Sequence, residues 1–233
     1  MILKEWEQLP EEFKTKEVKY YYDLLKKKKG SLFLKRAFDV CVAAAMLLLL
    51  SPAFFVLSVT IALDSPGGIF FRQVRVTTYG KTFRIHKFRT MVANAEKIGS
   101  QVTVGNDSRI TKVGAFLRKT RLDELPQLID VLHGDMSFVG TRPEVPKYVN
   151  RYTKEMMATL LMPAGITSEA SIRFKKEAEL LEGVADVDDV YVNDILPQKM
   201  KYNLKAVERF GFWSDIATMI RTVIAVLGKD YDE

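Results

Sequence analysis

The 233-residue sequence predicts a mostly helical α/β domain that carries a membrane segment. Three observations support this fold class. Residues 40–63 contain no charged side chain, two runs at 69–76 and 82–88 are rich in β-branched and aromatic residues, and apolar residues recur at helical spacing near the C-terminus. The length suits one domain of ordinary size and excludes two large ones.

Composition narrows the chemistry without choosing a partner. The net charge of +6 and the pI near 9.2 fit nucleic acid, anionic lipid or a phosphorylated ligand equally well. A single cysteine, Cys41, excludes an intrachain disulfide and a cysteine metal cluster. With only His86 and His133 available for a histidine zinc site, the expected metal is a hard ion such as Mg²⁺, held by carboxylate and phosphate oxygens.

The segment before the apolar run is charged. A helix-compatible stretch from Glu11 to Leu25 ends in four consecutive lysines, Lys26 to Lys29, followed by Gly30. We assign residues 1–34 to a basic arm that lies against anionic lipid headgroups. The alternative is a solvated, partly disordered tail.

The apolar run from Val40 to Leu63 predicts a membrane segment. As one helix it would extend about 36 Å, enough to cross a hydrocarbon core of about 30 Å. It starts too far into the chain for a removable signal peptide. Pro52 removes a backbone donor and frees the carbonyl near Leu48, which bends a helix unless a group such as the Ser51 hydroxyl satisfies that carbonyl.

Basic residues flank both ends of this run, so the positive-inside rule draws both ends to the same face of the membrane. A helix that bends at Ser51-Pro52 and returns, over residues 35–64, resolves the conflict. An ordinary single span with one basic flank translocated is the alternative, and the charges alone leave both open. The flanking cations are Lys26, Lys27, Lys28, Lys29, Lys35, Arg36, Arg72, Arg75, Lys81, Arg84, Lys87 and Arg89.

Residues 65–233 form the remaining domain. Ile69–Val76 and Thr82–Phe88 predict a short β-hairpin. The C-terminal apolar pattern predicts an amphipathic helix that either faces the core or rests on the membrane interface. Further short helices are expected at Thr111–Lys119, Glu124–Leu132 (ending at Gly134-Asp135), Glu177–Leu181 and Leu196–Arg209.

An acidic pair, Asp123 and Glu124, precedes Pro126 and a predicted helix. Adjacent carboxylates repel, so keeping both ionised requires a neighbouring cation or a metal. Arg142, between Gly140-Thr141 and Pro143, offers a guanidinium to a phosphate. However, Thr120 to Asp123 also matches a helix-capping pattern, and spacing alone favours that interpretation.

Several motifs, taken in order, resemble the bacterial sugar transferase family, the small monotopic phosphoglycosyl transferases. The resemblance covers roughly residues 32–227, and the ordered set is more specific than any single motif. The motifs are Lys35-Arg36-Ala37-Phe38-Asp39, Ser51-Pro52, Phe71-Arg72-Gln73-Val74-Arg75, Lys87-Phe88-Arg89-Thr90-Met91, Asp107-Ser108-Arg109-Ile110-Thr111, Leu122 to Leu128, and Gly134 to Pro143.

The resemblance implies transfer of a sugar 1-phosphate from a UDP-sugar to undecaprenyl phosphate, with release of UMP, as the first membrane step of surface glycan biosynthesis. It implies a compact cytosolic catalytic domain with a re-entrant membrane helix, on the cytoplasmic face of the bacterial inner membrane. Asp123 is then the nucleophile that forms a covalent aspartyl phosphosugar, and Glu124, with Asp123, holds Mg²⁺. The residues implied for substrate and phosphate binding are Gln73, Arg75, Lys87, Arg89, Arg118, Arg142 and Pro143.

Three positions depart from the family pattern. Thr141 stands where a proline is usual, Thr77 stands where a glycine is frequent, and residues 165–171 differ from the common sequence, which leaves the sugar open. Two other function classes remain: a basic membrane-anchored binding protein and a hydrolase that uses the same carboxylates. The basic residues are interleaved with acids, so we expect no nucleic-acid partner. A homodimer stays open.

Overall fold

The computed structural model describes residues 3–95, 107–175, 177–181, 184 and 186–227. Predictions that fall on residues 1–2 and 228–233 lie outside this range. The helices are α1 (Lys16–Lys26), α2 (Lys29–Leu49), α3 (Ser51–Asp64), α4 (Lys112–Thr120), α5 (Gln127–His133), α6 (Pro146–Val149), α7 (Glu169–Arg173), α8 (Glu177–Leu180), α9 (Val187–Val190), α10 (Leu196–Glu208) and α11 (Phe212–Val226). The strands are β1 (Phe70–Val76), β2 (Thr82–Phe88), β3 (Met136–Val139) and β4 (Ala164–Thr167).

Two small sheets accompany the helices. The predicted hairpin is confirmed: β1 and β2 pair antiparallel, with Phe70 opposite Phe88 and Val76 opposite Thr82. The parallel pair of β3 and β4 joins segments far apart in sequence. Thr77, at the end of β1, connects the two sheets, because its hydroxyl donates to the carbonyl of Asp135 at 2.5 Å and accepts from the N–H of Ala164 at 3.1 Å.

The N-terminal arm is part of the core. Leu9, Phe13 and Leu25 are buried among side chains of residues 158–162 and of α10. Thr15 caps α1 by accepting from the N–H of Val18. The alternative of a disordered tail is therefore wrong for residues 3–26, since their apolar side chains are removed from water. α2 then begins at Lys29, so it runs continuously through the boundary drawn between residues 34 and 35.

α2 and α3 form a bent pair, with an angle of 62° at the break between Leu49 and Ser51. As expected, the Ser51 hydroxyl donates to the carbonyl of Leu48 at 2.8 Å and satisfies a backbone group that Pro52 leaves free. Among the described residues no single helix is long and apolar enough to cross a membrane, whereas this bent pair meets the length and composition criteria for a broken span or a re-entrant loop.

α11 does not pack as a core helix. Only Thr218 is fully buried among its residues, and Trp213, Ile220 and Val223 are exposed on its outer side. The core-facing alternative is therefore wrong for most of this helix. Its opposite, more polar side lies against α7, β3 and β4.

Close packing between β3 and β4 positions the loop that carries Arg142. A Cβ atom on Gly140 would lie 2.4 Å from the carbonyl oxygen of Pro163, and one on Gly165 would lie 2.1 Å from the nitrogen of Gly140. Two backbone hydrogen bonds, from Gly140 to Thr167 at 3.0 Å and from Gly165 to Thr141 at 2.9 Å, tie the loop to β4. Glycine is required here because the two backbones meet where a side chain would stand.

Candidate active site

A short 3₁₀ turn, Leu122–Glu124, presents the acidic pair. It follows a sharp reversal at Arg121, whose φ of 59° ends α4 in the left-handed region. On either side of the pair, Leu122 and Leu125 pack against a buried cluster around Phe88. The turn is thus held by apolar contacts of the two leucines rather than by its carboxylates.

The capping interpretation of Asp123 is wrong. The Thr120 hydroxyl donates back to the carbonyl of Phe116 within α4, and the residue at the N-cap of α5 is Pro126, without a side-chain cap. Asp123 itself receives no hydrogen bond from the described residues. Its carboxylate therefore has no structural task in starting a helix.

Glu124 is clamped between two cations. Its Oε1 atom accepts from Nζ of Lys87, on β2, and from Nη2 of Arg142, in the loop after β3, at 2.7 Å each. The side chains of Glu124, Lys87 and Arg142 are 12%, 17% and 36% exposed. Charge-assisted hydrogen bonds are strong when water is partly excluded, so the clamp joins three elements at one oxygen atom.

The two neighbouring carboxyl groups have opposite pKa shifts. Burial alone would raise the pKa of Glu124, but Arg142 and Lys87 outweigh it and hold that pKa well below the ordinary value of 4.5. Burial raises the pKa of Asp123 above its ordinary 3.8; Lys87 opposes this shift, and the charge of Glu124 adds to it. Glu124 is a fixed anion, whereas Asp123 is a partly desolvated carboxylate that no described residue hydrogen-bonds.

Arg118 provides a further cation beside Asp123. Its Nε atom donates to the Thr90 hydroxyl at 2.9 Å, which leaves the terminal nitrogens of the guanidinium for another group. Burial lowers the pKa of Arg118, while Asp123 and Asp107 act to raise it. The structure therefore brings Lys87, Arg118 and Arg142 together around the acidic pair.

Gln73, Arg75 and Pro143 stand behind this group. Nη1 of Arg75 donates to the carbonyl of Pro143 at 2.9 Å, and Nη2 donates to Oε1 of Gln73 at 2.6 Å. Arg75 thus holds the backbone next to Arg142. Its geometry is that of a positioning residue for the loop.

Arg89 lies apart from the group. It is 8% exposed, and its guanidinium donates to the carbonyls of Pro66 at 2.5 Å and Ser65 at 2.7 Å, at the C-terminal end of α3. Its terminal nitrogens are therefore occupied by the backbone that leaves the bent helix pair. In sequence Arg89 and Lys87 look equivalent, and two residues apart within one strand they would share a face. However, β2 ends at Phe88, so Arg89 lies past the strand and its guanidinium bonds the carbonyls that follow α3.

Sequence reasoning missed a second polar cluster behind the loop. The Tyr191 hydroxyl donates to Oε1 of the buried Glu144 at 2.5 Å, and Nζ of Lys199 donates to that hydroxyl at 2.9 Å. Lys199 also pairs with Glu177 at 2.8 Å. The position of Glu144 directly after Arg142-Pro143 is the sequence feature that could have identified this cluster. The partners of Glu144 lie more than 30 residues further along the chain and belong to no recognisable motif.

A divalent metal fits the site if substrate phosphates complete its ligands. Among the described residues no group of three or more His, Cys, Asp or Glu side chains is arranged to hold a metal ion. Mg²⁺ commonly binds through one or two carboxylates together with substrate phosphates and water. Asp123 and Glu124 match that donor set, and the carboxylate of Asp123 is not hydrogen-bonded by any residue in the described ranges.

Comparison with known proteins agrees with this arrangement. A model of the bacterial sugar transferase family matches residues 30–229, which include every element of the site.

Curated relatives match most of the chain. A UDP-N-acetylgalactosamine-undecaprenyl-phosphate N-acetylgalactosaminephosphotransferase from Aeromonas hydrophila is 35% identical over 199 residues, 84% of this chain and 44% of that protein. A UDP-glucose:undecaprenyl-phosphate glucose-1-phosphate transferase from Escherichia coli (strain K12) is 37% identical over 195 residues, 82% and 39% of the two chains. An undecaprenyl-phosphate galactose phosphotransferase from Salmonella typhimurium is 34% identical over 218 residues, 87% and 42%.

The chain therefore spans less than half the length of each of these three relatives. The family match, by contrast, covers the larger part of the chain and contains the acidic turn, the clamp and the bent helix pair. The protein belongs to the bacterial sugar transferase family.

Proposed function

We propose that the protein transfers a sugar 1-phosphate from a UDP-sugar to undecaprenyl phosphate and releases UMP, as the first membrane step of a surface glycan pathway. One observation carries the proposal. Asp123, whose carboxylate accepts no hydrogen bond from the part of the chain that the structure describes, lies beside a carboxylate that is fixed by Lys87 and Arg142. Relatives named for this class of transfer share the matched region.

The reaction proceeds in two displacements. In the first, a carboxylate oxygen of Asp123 attacks the β-phosphorus of the UDP-sugar; the bond from that phosphorus to the bridging oxygen breaks, and UMP leaves with the electron pair. In the second, a phosphate oxygen of undecaprenyl phosphate attacks the same phosphorus and the Asp123 carboxylate is restored. The first displacement, on the diphosphate, forms an activated acyl phosphate and the second consumes it, so two easier steps replace one difficult encounter between two anions.

The surrounding cations suit this task because phosphoryl transfer depends on positioning and on neutralising charge at the phosphoryl oxygens. Lys87 and Arg142 are oriented by Glu124 and retain donors for the diphosphate. Arg118, which is oriented by Thr90, provides a further cation beside Asp123 for the same diphosphate. Mg²⁺, held by Asp123 and Glu124 with phosphate oxygens, would neutralise the diphosphate further.

The proposed location is the cytoplasmic face of the bacterial inner membrane. The bent α2–α3 pair dips into the bilayer and returns, which keeps both basic flanks on one side. Leu48, Leu49 and Phe55 are more than 70% exposed around the bend, as expected of side chains that face lipid. α11, with Trp213 outward, rests on the interface, where a polyprenyl phosphate presents its headgroup.

The nucleotide released by purified protein tests this proposal. With Mg²⁺ and UDP-glucose, UDP-galactose, UDP-N-acetylglucosamine or UDP-N-acetylgalactosamine, we expect continuous UMP formation with one matching donor and only when undecaprenyl phosphate is present. Without the lipid, UMP should stop at one equivalent per protein, and intact mass should rise by the phosphosugar.

Asp123→Asn should abolish both the turnover and the mass increase, while Asp194→Asn, an exposed control, retains them. Continuous UMP release without lipid would instead indicate hydrolysis, and UDP release would indicate ordinary glycosyl transfer. If no nucleotide is released from any donor, the hypothesis of a membrane-anchored binding protein is favoured.

A further inference from the structure

A second cleft lies on the other side of the loop that carries Arg142. It encloses about 310 Å³ between the end of β3, α7, α10 and α11, a volume at the lower end of small-molecule sites, which run from about 300 to 1,000 Å³. Gly140 and Thr141, immediately before Arg142, form part of its wall, together with Ser168. Neither Asp123 nor Glu124 lines it.

Unsatisfied polar atoms are concentrated in this cleft. Seven side-chain nitrogen or oxygen atoms in the described residues are buried without a hydrogen-bond partner, and three of them belong to residues that line it: Oε2 of Glu169, Oδ1 of Asn203 and Nε of Arg221. Oε2 of Glu169 is within ion-pair distance of Arg221, at 3.3 Å, but does not form a hydrogen bond with it. Asn203 is only 4% exposed, and its amide nitrogen makes a single weak contact, 3.7 Å from Sδ of Met200. Such atoms cost free energy unless a ligand or water completes them.

The chemistry of these atoms selects a class of ligand. Two are acceptors and one is a donor, and every hydroxyl of a sugar ring can act as both. A bare anion fits poorly, because it would meet the carboxylate of Glu169 and the carbonyl of Asn203. Of the cations that line the cleft, Arg221 and Arg173 are committed to Glu169: Arg221 Nη2 lies 3.3 Å from Oε2, and Arg173 Nε lies 3.5 Å from Oε1. Lys205 and Arg209 also line the cleft, and both are exposed to solvent.

We propose that this cleft binds a sugar ring through its hydroxyl groups, with Glu169, Asn203 and Arg221 as the recognising residues. The bound sugar ring can be the glycosyl group of the UDP-sugar donor, and this alternative rests on the proposed function. The second alternative is that the sugar ring belongs to a separate glycan that binds beside the active site. Relatives of similar identity are named for N-acetylgalactosamine, glucose and galactose transfer, so sugar identity must depend on local residues of this kind.

Two variants and a matched control test the cleft. Glu169→Gln keeps the size of the side chain and removes its charge, and Asn203→Ala removes the buried carbonyl. Asn193→Ala is the control, since Asn193 is an exposed residue outside the cleft whose side chain donates to Asp189 at 2.7 Å. Circular dichroism and thermal unfolding in the same detergent show whether each variant is folded. If Asn203→Ala does not fold, Glu169→Gln alone tests the proposal.

For a donor glycosyl group, we expect each variant to raise the KM for the UDP-sugar about tenfold, as the loss of one buried hydrogen bond predicts. The ranking of the four UDP-sugars should change, whereas inhibition by UDP and the KM for undecaprenyl phosphate should not. Equal weakening of UDP would place the nucleotide in the cleft and overturn the proposal.

For a separate glycan, donor kinetics should be unchanged, while saturation-transfer NMR with methyl glycosides should show binding to the wild type and to Asn193→Ala that is lost in the two cleft variants. This measurement requires no turnover, so it also applies if the proposed reaction fails. Unchanged donor kinetics together with no glycoside binding would refute the cleft as a sugar site.

Discussion

Neutralising each carboxyl group of the acidic pair separately should have opposite effects on stability. In Glu124→Gln, Lys87 and Arg142 lose the charge that they share at 2.7 Å, and two partly buried cations are left facing each other. In Asp123→Asn, a desolvated carboxylate with a raised pKa is replaced by a neutral amide of the same shape. The first change removes a stabilising charge and the second removes an unfavourable one.

The magnitude for Glu124→Gln follows from burial. Removing one partner of a buried ion pair costs about 3–5 kcal/mol, and we expect about 3 because Arg142 is still a third exposed. For a chain of this length about 1 kcal/mol shifts the Tm by about 2–4 °C, so the loss is about 6–12 °C. Asp123→Asn should leave the Tm unchanged or raise it slightly.

Thermal unfolding of both variants in one detergent, alongside UMP release, is the assay. Both variants should lose activity, but only Glu124→Gln should lose stability. Lys81→Ala is the control for an exposed pair, with Lys81 2.8 Å from Asp135 and 69% exposed, and should cost less than about 1 kcal/mol. Equal destabilisation by Asp123→Asn and Glu124→Gln would refute the division of roles.

Three further predictions concern pH, the loop and the bent helices. Because the pKa of Asp123 is raised, its ionised form is lost first on acidification, so kcat/KM should begin to fall at a pH above the ordinary pKa of 3.8. The stability that Glu124 contributes is present above its unfolded pKa and is lost only as the pH falls through its lower folded pKa. Unfolding measured as a function of pH tests the second statement. Glu144→Gln should weaken the hydrogen bond from Tyr191 and lower kcat more than it raises the donor KM, while an unchanged kcat would exclude a role in positioning the loop. The double change Ser51→Ala and Pro52→Ala should straighten α2 and α3 toward a true span, and cysteine labelling that still finds both termini on the same face would contradict this account of the bend.

Local rules predicted the elements whose partners are near in sequence. The hairpin needed only two β-rich runs around a turn, and the bond from Ser51 to Leu48 needed only a proline in a helix. Charge and helix propensity, by contrast, assigned residues 1–34 to a basic arm and did not predict that apolar side chains of residues 3–26 pack into the core. Their buried side chains contact residues 158–162 and α10, and a local sequence pattern does not predict contacts between segments so far apart in the chain.

The same limit applies to the site. The sequence identified the acidic pair, Lys87 and Arg142, yet it gave Arg89 the same status as Lys87. Only the end of β2 at Phe88, between these two residues, separates a cation that faces Glu124 from one that holds the end of α3. Glu144 stood next to the recognised loop, but its role depends on Tyr191 and Lys199, which the fold alone brings together.

The 3₁₀ turn explains why two adjacent carboxylates can differ so much. With about three residues per turn, successive side chains point about 120° apart, so Glu124 faces Lys87 and Arg142 while Asp123 does not. A regular α-helix would separate them by about 100°, but its backbone bonds would continue through Pro126, which cannot donate. The left-handed residue Arg121 and Pro126 therefore confine the pair to a single turn. One carboxylate is held as an anchor for the cations, and the adjacent one is left unbonded for phosphorus.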